Sequence, residues 1–544
     1  MDRRARELVD PKGIRVFAAK ISGTLDLSFV AVPFPLRLRR CRLLEDAELK
    51  YVEIPALYLH GSWVRGIVAD GARVNGDVFL RRGFHAEGEV RLLGAEIGGV
   101  LDCERGTFKN PAQKGVEGTG IALTADRIKV TGGVYLRNDF SSEGEVRLLG
   151  AEIGGVLDCE RGTFKNPAKT DVPGSGDALS ADRIKVRGGV FLRNGFNSEG
   201  EVRLLGAEIG GYLDCELGTF KNPAQKDVPD SGDALSADRM KVKGSVFLRN
   251  GFSAEGEVRL PGAEIGGDLE CRGGGFTRIS ALSAVIKGKL VWDSIINAEK
   301  AELDLTNASA DSIMDDKASW PAEGRLFLNG FVYGRISQGP GTAEERLKWL
   351  ARQVPFHTQP YRQLAKVLRE GGDEDGARKV LFEMEDRHWK AKPGWKARIW
   401  RLLLKPTIGY GRHPLWALQW LGGLVFVGCL FYILGYAAGH VVPREKDAYR
   451  FFEMHQRPPE YIDAFSPLVY SLENSFPLVK LGQADNWQPA PFVHSPGDSW
   501  GTFLLGRFFT WSGFLGVFLW FQICAGWVLA TLFVAGVTGI IRSD

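Results

Sequence analysis

At 544 residues the chain is too long for one compact core, so several domains are expected. Its 69 Lys and Arg nearly balance 66 Asp and Glu, which excludes a nucleic-acid surface covering the whole molecule. The 68 glycines fall mostly at regular positions before residue 340, a pattern of turns rather than disorder.

Residues 1–13 read as a charged tail without an apolar centre, so no secretory signal peptide is expected. An internal repeat then governs the chain. The string GEVRL begins at Gly88, Gly144, Gly200 and Gly256, a period of 56 that also sets Cys103, Cys159, Cys215 and Cys271 in register. Within the first copy, small or β-branched residues are followed two positions later by apolar ones: Val90/Leu92, Ala95/Ile97, Leu101/Cys103, Gly106/Phe108. After a loop (KNPAQKGVEGTG) the rhythm resumes with Leu123/Ala125, Ile128/Val130, Val134/Leu136 and a looser side near Phe140. The steps alternate between five and six residues, which no helix period fits. They predict short extended segments meeting at corners, four sides to a turn and two coils plus one protruding loop per repeat. No coil can bury its inner row alone, so stacking completes the core.

This pattern resembles the pentapeptide-repeat β-helix family over residues 14–336, with a five/six alternation in place of a strict five. The resemblance implies a right-handed quadrilateral β-helix, a mainly β solenoid. The repeat cysteines lie two coils apart, about 9–10 Å at a strand spacing of roughly 4.8 Å, whereas a disulfide needs Cα atoms within about 7 Å. They read as buried small hydrophobes. The outer ladders Arg91/Arg147/Arg203/Arg259 and Glu96/Glu152/Glu208/Glu264 read first as a solvated face and second as a surface for a charged partner. The repeat is also similar to that of bacterial proteins labelled membrane-associated oxidoreductases, which would imply redox chemistry. No dinucleotide, P-loop, CxxC or zinc-protease motif accompanies it, and the eight histidines have no metal-ligand spacing. Neither a cofactor, a metal nor catalysis is expected.

Residues 342–390 switch to helical period as a hairpin connector. Thr342 and Glu345 form a capping box, Pro360 opens a second helix that Gly371 and Gly372 end, and Ala377, Val380, Leu381 and Met384 mark a third. A cap for the solenoid is the plain reading and a docking site the alternative. Residues 392–413 are predicted as a basic helix lying on the anionic inner leaflet. Trp395, Ile399 and Leu402 share one face, with Lys396, Arg398, Arg401 and Lys405 around it.

Two uncharged apolar runs follow, at residues 415–438 and 508–541, each longer than the roughly 20 residues that span a bilayer. They place transmembrane segments within 414–440 and 501–541. Residues 387–412 carry eight Lys/Arg and no acid, whereas residues 439–500 hold five Lys/Arg against eight Asp/Glu. By the positive-inside rule both termini face the cytoplasm, of a bacterial inner membrane, and the extracytoplasmic segment is 441–500. Within it, residues 463–477 read as a helix too short and polar to span, followed by an irregular stretch to Trp487. Span, short helix, loop, span resembles the layout of two-transmembrane pore-loop channels. The potassium filter TVGYG does not occur, so the resemblance names no ion. What it implies is a re-entrant segment at 463–487, with Glu473, Lys480, Leu481, Gly482 and Asp485 near a conduction path. On the second span, Cys524, Thr531 and Thr538 form a mildly polar stripe, and Gly526 with Ala530 a close-packing face.

The expected function is an oligomeric ion channel, a homo-oligomer in contact with lipid, whose cytoplasmic β-helix senses a ligand or binds a protein partner. A membrane-tethered scaffold without a pore is the alternative, and an oxidoreductase ranks third. No nucleic-acid partner is expected.

Overall fold

The computed structural model describes residue 10 and residues 12–172, 174–228, 231–476, 478–491 and 510–538, the side chains of 396 and 397 excepted. The chain divides into two compact units, Met1–Val380 and Leu381–Asp544.

The first unit is a β-solenoid of about 14 turns. Each coil of the repeat supplies four short strands, and each strand pairs in parallel with its equivalent in the next coil. Arg73 and Val74 lie beside Glu96 and Ile97, which lie beside Lys129 and Val130. These ladders build sheets of 23 and 22 strands. Val90 pairs with Leu123 and Leu123 with Val146, so one 56-residue repeat does contain two coils. The longer coil carries the protruding loop. Asn110 ties off its base by donating from Nδ2 to the Gly118 and Ile121 carbonyls, at 2.9 and 2.8 Å. Asn166 does the same one repeat later.

Along each side the inward residues are those picked out by the five/six rhythm. Val90, Leu92, Ala95, Ile97, Leu101, Cys103 and Phe108 are all buried. Stacking sets like upon like. The four repeat cysteines alternate with Leu136, Leu192 and Leu248 in one inward file and remain free thiols. Burial pushes each thiol above its ordinary range, so it stays protonated. On another side Phe108, Phe140, Phe164 and Phe196 meet in a file of tilted rings with centroids 5.1–5.2 Å apart. Each such ring contributes on the order of 2–3 kcal/mol by burial, and the ring pairs add about 1 kcal/mol.

The outer arginines are used by the solenoid itself. Arg147, Arg203 and Arg259 reach back one coil to Asp126, Asp182 and Asp238 at 2.8–2.9 Å. A second series pairs Arg137 with Asp158 and Arg193 with Asp214 at 2.7–2.8 Å, while the guanidinium groups stack on Tyr135 and Phe191.

The connector closes the C-terminal end of this unit. Helix α1 (Ala343–Leu350) opens on the expected Thr342–Glu345 capping box. From its buried face the fully buried Arg346 makes a two-pronged bond to Asp315, at 2.6 and 2.7 Å, and donates from Nε to the Pro340 carbonyl. From α2 (Gln359–Glu370), Gln363 donates to the Tyr333 carbonyl at 2.6 Å. These bonds make the hairpin a cap. Helix α3 (Glu374–Ala391) crosses the boundary between the units.

The second unit contains α4 (Trp395–Ile408), a 3-10 turn (Gly409–Gly411), α5 (Leu415–Ala437), α6 (Lys446–His455), α7 (Pro467–Ser475), the single turn α8 (Gln483–Asn486) and α9 (Trp511–Val537). Helices α5 and α9 are long and apolar enough to cross a membrane. The short helix expected over 463–477 starts at Pro467, whose ring fits the first helical turn. The irregular stretch after it is more ordered than expected: it holds α8, and Trp487–Pro489 pairs antiparallel with Val441–Pro443. Helix α6 goes beyond the expected elements: its Ala448 is buried and its Phe452 packs edge-on against Trp487. Of the second expected span, residues 501–509 and 539–541 lie outside the described residues.

Candidate functional site

Helix α7 is wedged against the middle of both long helices. Two glycines make the room. A Cβ at Gly428 of α5 would overlap the Ser471 hydroxyl, and one at Gly526 of α9 would overlap the Ser475 carbonyl. Gly526 is thus a close-packing position as expected, with α7 as its partner. At 1.5 Å per residue, Gly428 lies about 14 Å from the Ala437 end of α5, and Gly526 about 22 Å from the Trp511 end of α9. Both contacts fall near mid-helix.

A buried amide fastens the wedge. Gln522 of α9 is fully buried; its Oε1 accepts the Tyr432 hydroxyl at 2.7 Å. Its Nε2 donates to the Ser471 carbonyl (3.1 Å), the Ser471 hydroxyl (2.8 Å) and the Ser475 hydroxyl (2.8 Å). Ser471 in turn donates to the Val425 carbonyl on α5 at 2.7 Å. One side chain therefore links three helices. Sequence reasoning missed it, although an amide inside an otherwise apolar run is a signal, since a buried polar group needs partners.

The expected pore residues separate into two groups. Glu473 comes together with Leu481 and Gly482: its Oε1 accepts their backbone N–H groups at 3.1 and 3.2 Å, and its Oε2 accepts that of Ala484 at 2.9 Å. Gly482, with φ of 83°, makes the turn that aims these N–H groups inward. Gln483 closes the loop on its other side, accepting from the Ser466 N–H at 3.0 Å, and the Trp487 indole donates to the Asp463 carbonyl at 3.1 Å. Lys480 and Asp485 project outward and are exposed. Cys524, Thr531 and Thr538 also lie on the exposed surface of α9, with both threonine hydroxyls donating back to the carbonyls four residues earlier.

The basic helix α4 presents the expected apolar face. Trp395, Ile399 and Leu402 are 68%, 44% and 74% exposed, and Arg398 is exposed beside them. The Lys396 side chain lies outside the described residues. Arg401 and Lys405 turn the other way, each 3.1 Å from Asp386, which also holds Lys390 at 2.9 Å and accepts the Tyr410 hydroxyl. Burial works to raise the Asp386 carboxyl, but the Lys390 and Lys405 ammonium groups override it and hold the group well below the usual range. Asp386 is the acid immediately before the acid-free stretch, and it anchors α4 to α3.

Among the described residues no cluster of His, Cys, Asp and Glu could hold a metal ion. Compared with protein-family models, curated proteins and solved structures, the chain gives no match.

Proposed function

We propose that the chain is a subunit of an oligomeric ion channel in a bacterial cytoplasmic membrane, with α5 and α9 as its two spans and α7 as a re-entrant pore helix. The observation that carries this reading is the glycine-notched seat of α7 at the midpoint of two candidate spans. A short helix carrying Ser471, Glu473 and Ser475 is costly at that depth unless its polar groups are satisfied or face water. Both spans give up a side chain to admit it. The basic stretch before α5 supports a cytoplasmic solenoid, and the exposed Trp395, Ile399 and Leu402 support α4 lying on the anionic leaflet. Lys480 and Asp485, both exposed, then stand beside the mouth of the path.

The scaffold reading is favoured by a different observation: Glu473 is consumed by its own loop, as in an ordinary folded connection. Single-channel recording of the purified chain in planar bilayers separates the two. A channel gives discrete unit currents, lowered for cations by Asp485→Asn and raised by Lys480→Gln, most strongly at low salt where screening is weak. Silent wild-type protein, or currents indifferent to both substitutions, favours the scaffold.

A further inference from the structure

One side of the solenoid carries a groove of about 950 Å³. Its floor is the strand row Lys129, Glu152, Lys185, Glu208, Lys241 and Glu264, which alternates in sign from coil to coil. Such a row neutralises itself, as the 3.0 Å pair between Lys241 and Glu264 illustrates. The position two residues further on, at the corner, does not. There Arg187, Lys243 and Lys287 alternate with Gly154, Gly210 and Gly266. The glycines are required by the corner, since a Cβ at Gly210 would overlap the Arg187 carbonyl and one at Gly266 the Lys243 carbonyl. Every second coil therefore lacks a side chain at this edge. The three cations are exposed, and among the described residues none of them is in an ion pair.

We propose that this groove binds an extended acidic polypeptide segment of a partner protein, with one carboxylate on each of Arg187, Lys243 and Lys287. Two coils advance about 9.6 Å at the usual strand spacing. A polyproline II segment rises about 3.1 Å per residue with three residues per turn, so acidic residues at every third position recur on one face about every 9.3 Å. The spacings agree closely enough to hold register over three cations. A β-strand ligand puts same-face residues about 6.8 Å apart and fits less well. The glutamates on the floor argue against a uniformly charged strand such as a nucleic acid, which would meet like charge at every second coil. This surface belongs to the solenoid alone and does not depend on the pore reading.

The test is fluorescence anisotropy with the full chain in an uncharged detergent, using a labelled peptide of about five Glu-Pro-Pro triplets. Replacing Arg187, Lys243 and Lys287 together by Ser should weaken binding about tenfold, as expected for three exposed charge contacts. Removing the same charge at Arg161, Lys169 and Lys226, exposed outside the groove, should leave it within about twofold. A peptide with the same number of glutamates at every second position should bind several-fold more weakly. Equal loss in both triple variants, equal binding of the two peptides, or tighter binding of an oligothymidylate of matched charge would each overturn the proposal.

Discussion

Gln522→Leu should loosen the seat of α7 without disturbing the helices that carry it. Leu has nearly the volume of Gln and suits an apolar helix, so the perturbation is the loss of one amide. Two hydroxyls, those of Tyr432 and Ser475, lose their partner while fully buried, whereas Ser471 keeps its bond to the Val425 carbonyl. An orphaned buried hydroxyl costs about 1–3 kcal/mol, and interhelical hydrogen bonds in membrane proteins average nearer 0.6 kcal/mol with a maximum of about 1.7. The expected cost is therefore about 2–3 kcal/mol. Denaturant titration of the full chain in detergent, followed by protection of residues 467–475 in hydrogen exchange, measures it. A second substitution, Tyr432→Phe, removes one of the two orphans and should recover about 1 kcal/mol in the Gln522→Leu background while costing about that much alone. If Gln522→Leu leaves both stability and protection unchanged, the amide does not hold the wedge. If Tyr432→Phe costs the same in both backgrounds, the two groups are not coupled.

Arg346→Ala strands the buried Asp315 carboxylate at the solenoid's end and should cost about 3–5 kcal/mol, read as early loss of the solenoid's circular dichroism on heating. Burial raises Glu145 and Glu201 from 4.5 to about 7. A carboxyl whose folded value is raised contributes stability that is full below about 4.5 and is lost as pH climbs through about 7. For Glu201, only 7% exposed, the change is roughly 3 kcal/mol at most. Hydrogen exchange over residues 141–203 should accordingly be slower at pH 5.5 than at pH 8 after correction for intrinsic rates, and Glu145→Gln with Glu201→Gln should remove most of that difference. For topology, a cysteine placed at Ser495 should react with an impermeant thiol reagent on intact cells and one at Ser543 should not; the opposite labelling would invert the proposed orientation.

The solenoid was legible because its physics is local and repeated. Two inward residues per side, five or six apart, name nearly every buried position, and the period of 56 places the cysteines in one file. The outer ladders were legible as positions but not as interactions. Arg147 meets Asp126, 21 residues earlier, and Arg137 meets Asp158, 21 later, because a coil closes after 23 residues or, with its loop, after 33. A reading by repeat sees only the 56-residue sum, and so misses which neighbour each charge reaches. The same blindness hid the groove. Arg187 and Lys243 fall 56 apart, but Gly210 lies between them only once the coils are stacked.

In the second unit the sequence marked lengths and missed partners. Hydropathy found α5 and α9, but the side chains that join them to α7 are Gln522, Tyr432, Ser471 and Ser475, scattered over 90 residues with no shared period. Ionisable residues drew notice in the loop because charge is conspicuous, yet Glu473 answers a local need: three backbone N–H groups at the start of α8 require an acceptor, and a carboxylate from the end of α7 supplies both oxygens. That bond has a consequence for any pore. With Glu473 held inside the loop, the exposed charges among the described residues of 467–489 are Lys480 and Asp485, one of each sign, so selectivity would be set by their relative distance from the axis. Cation preference requires Asp485 to stand nearer, and neutralising Lys480 should then matter less than neutralising Asp485.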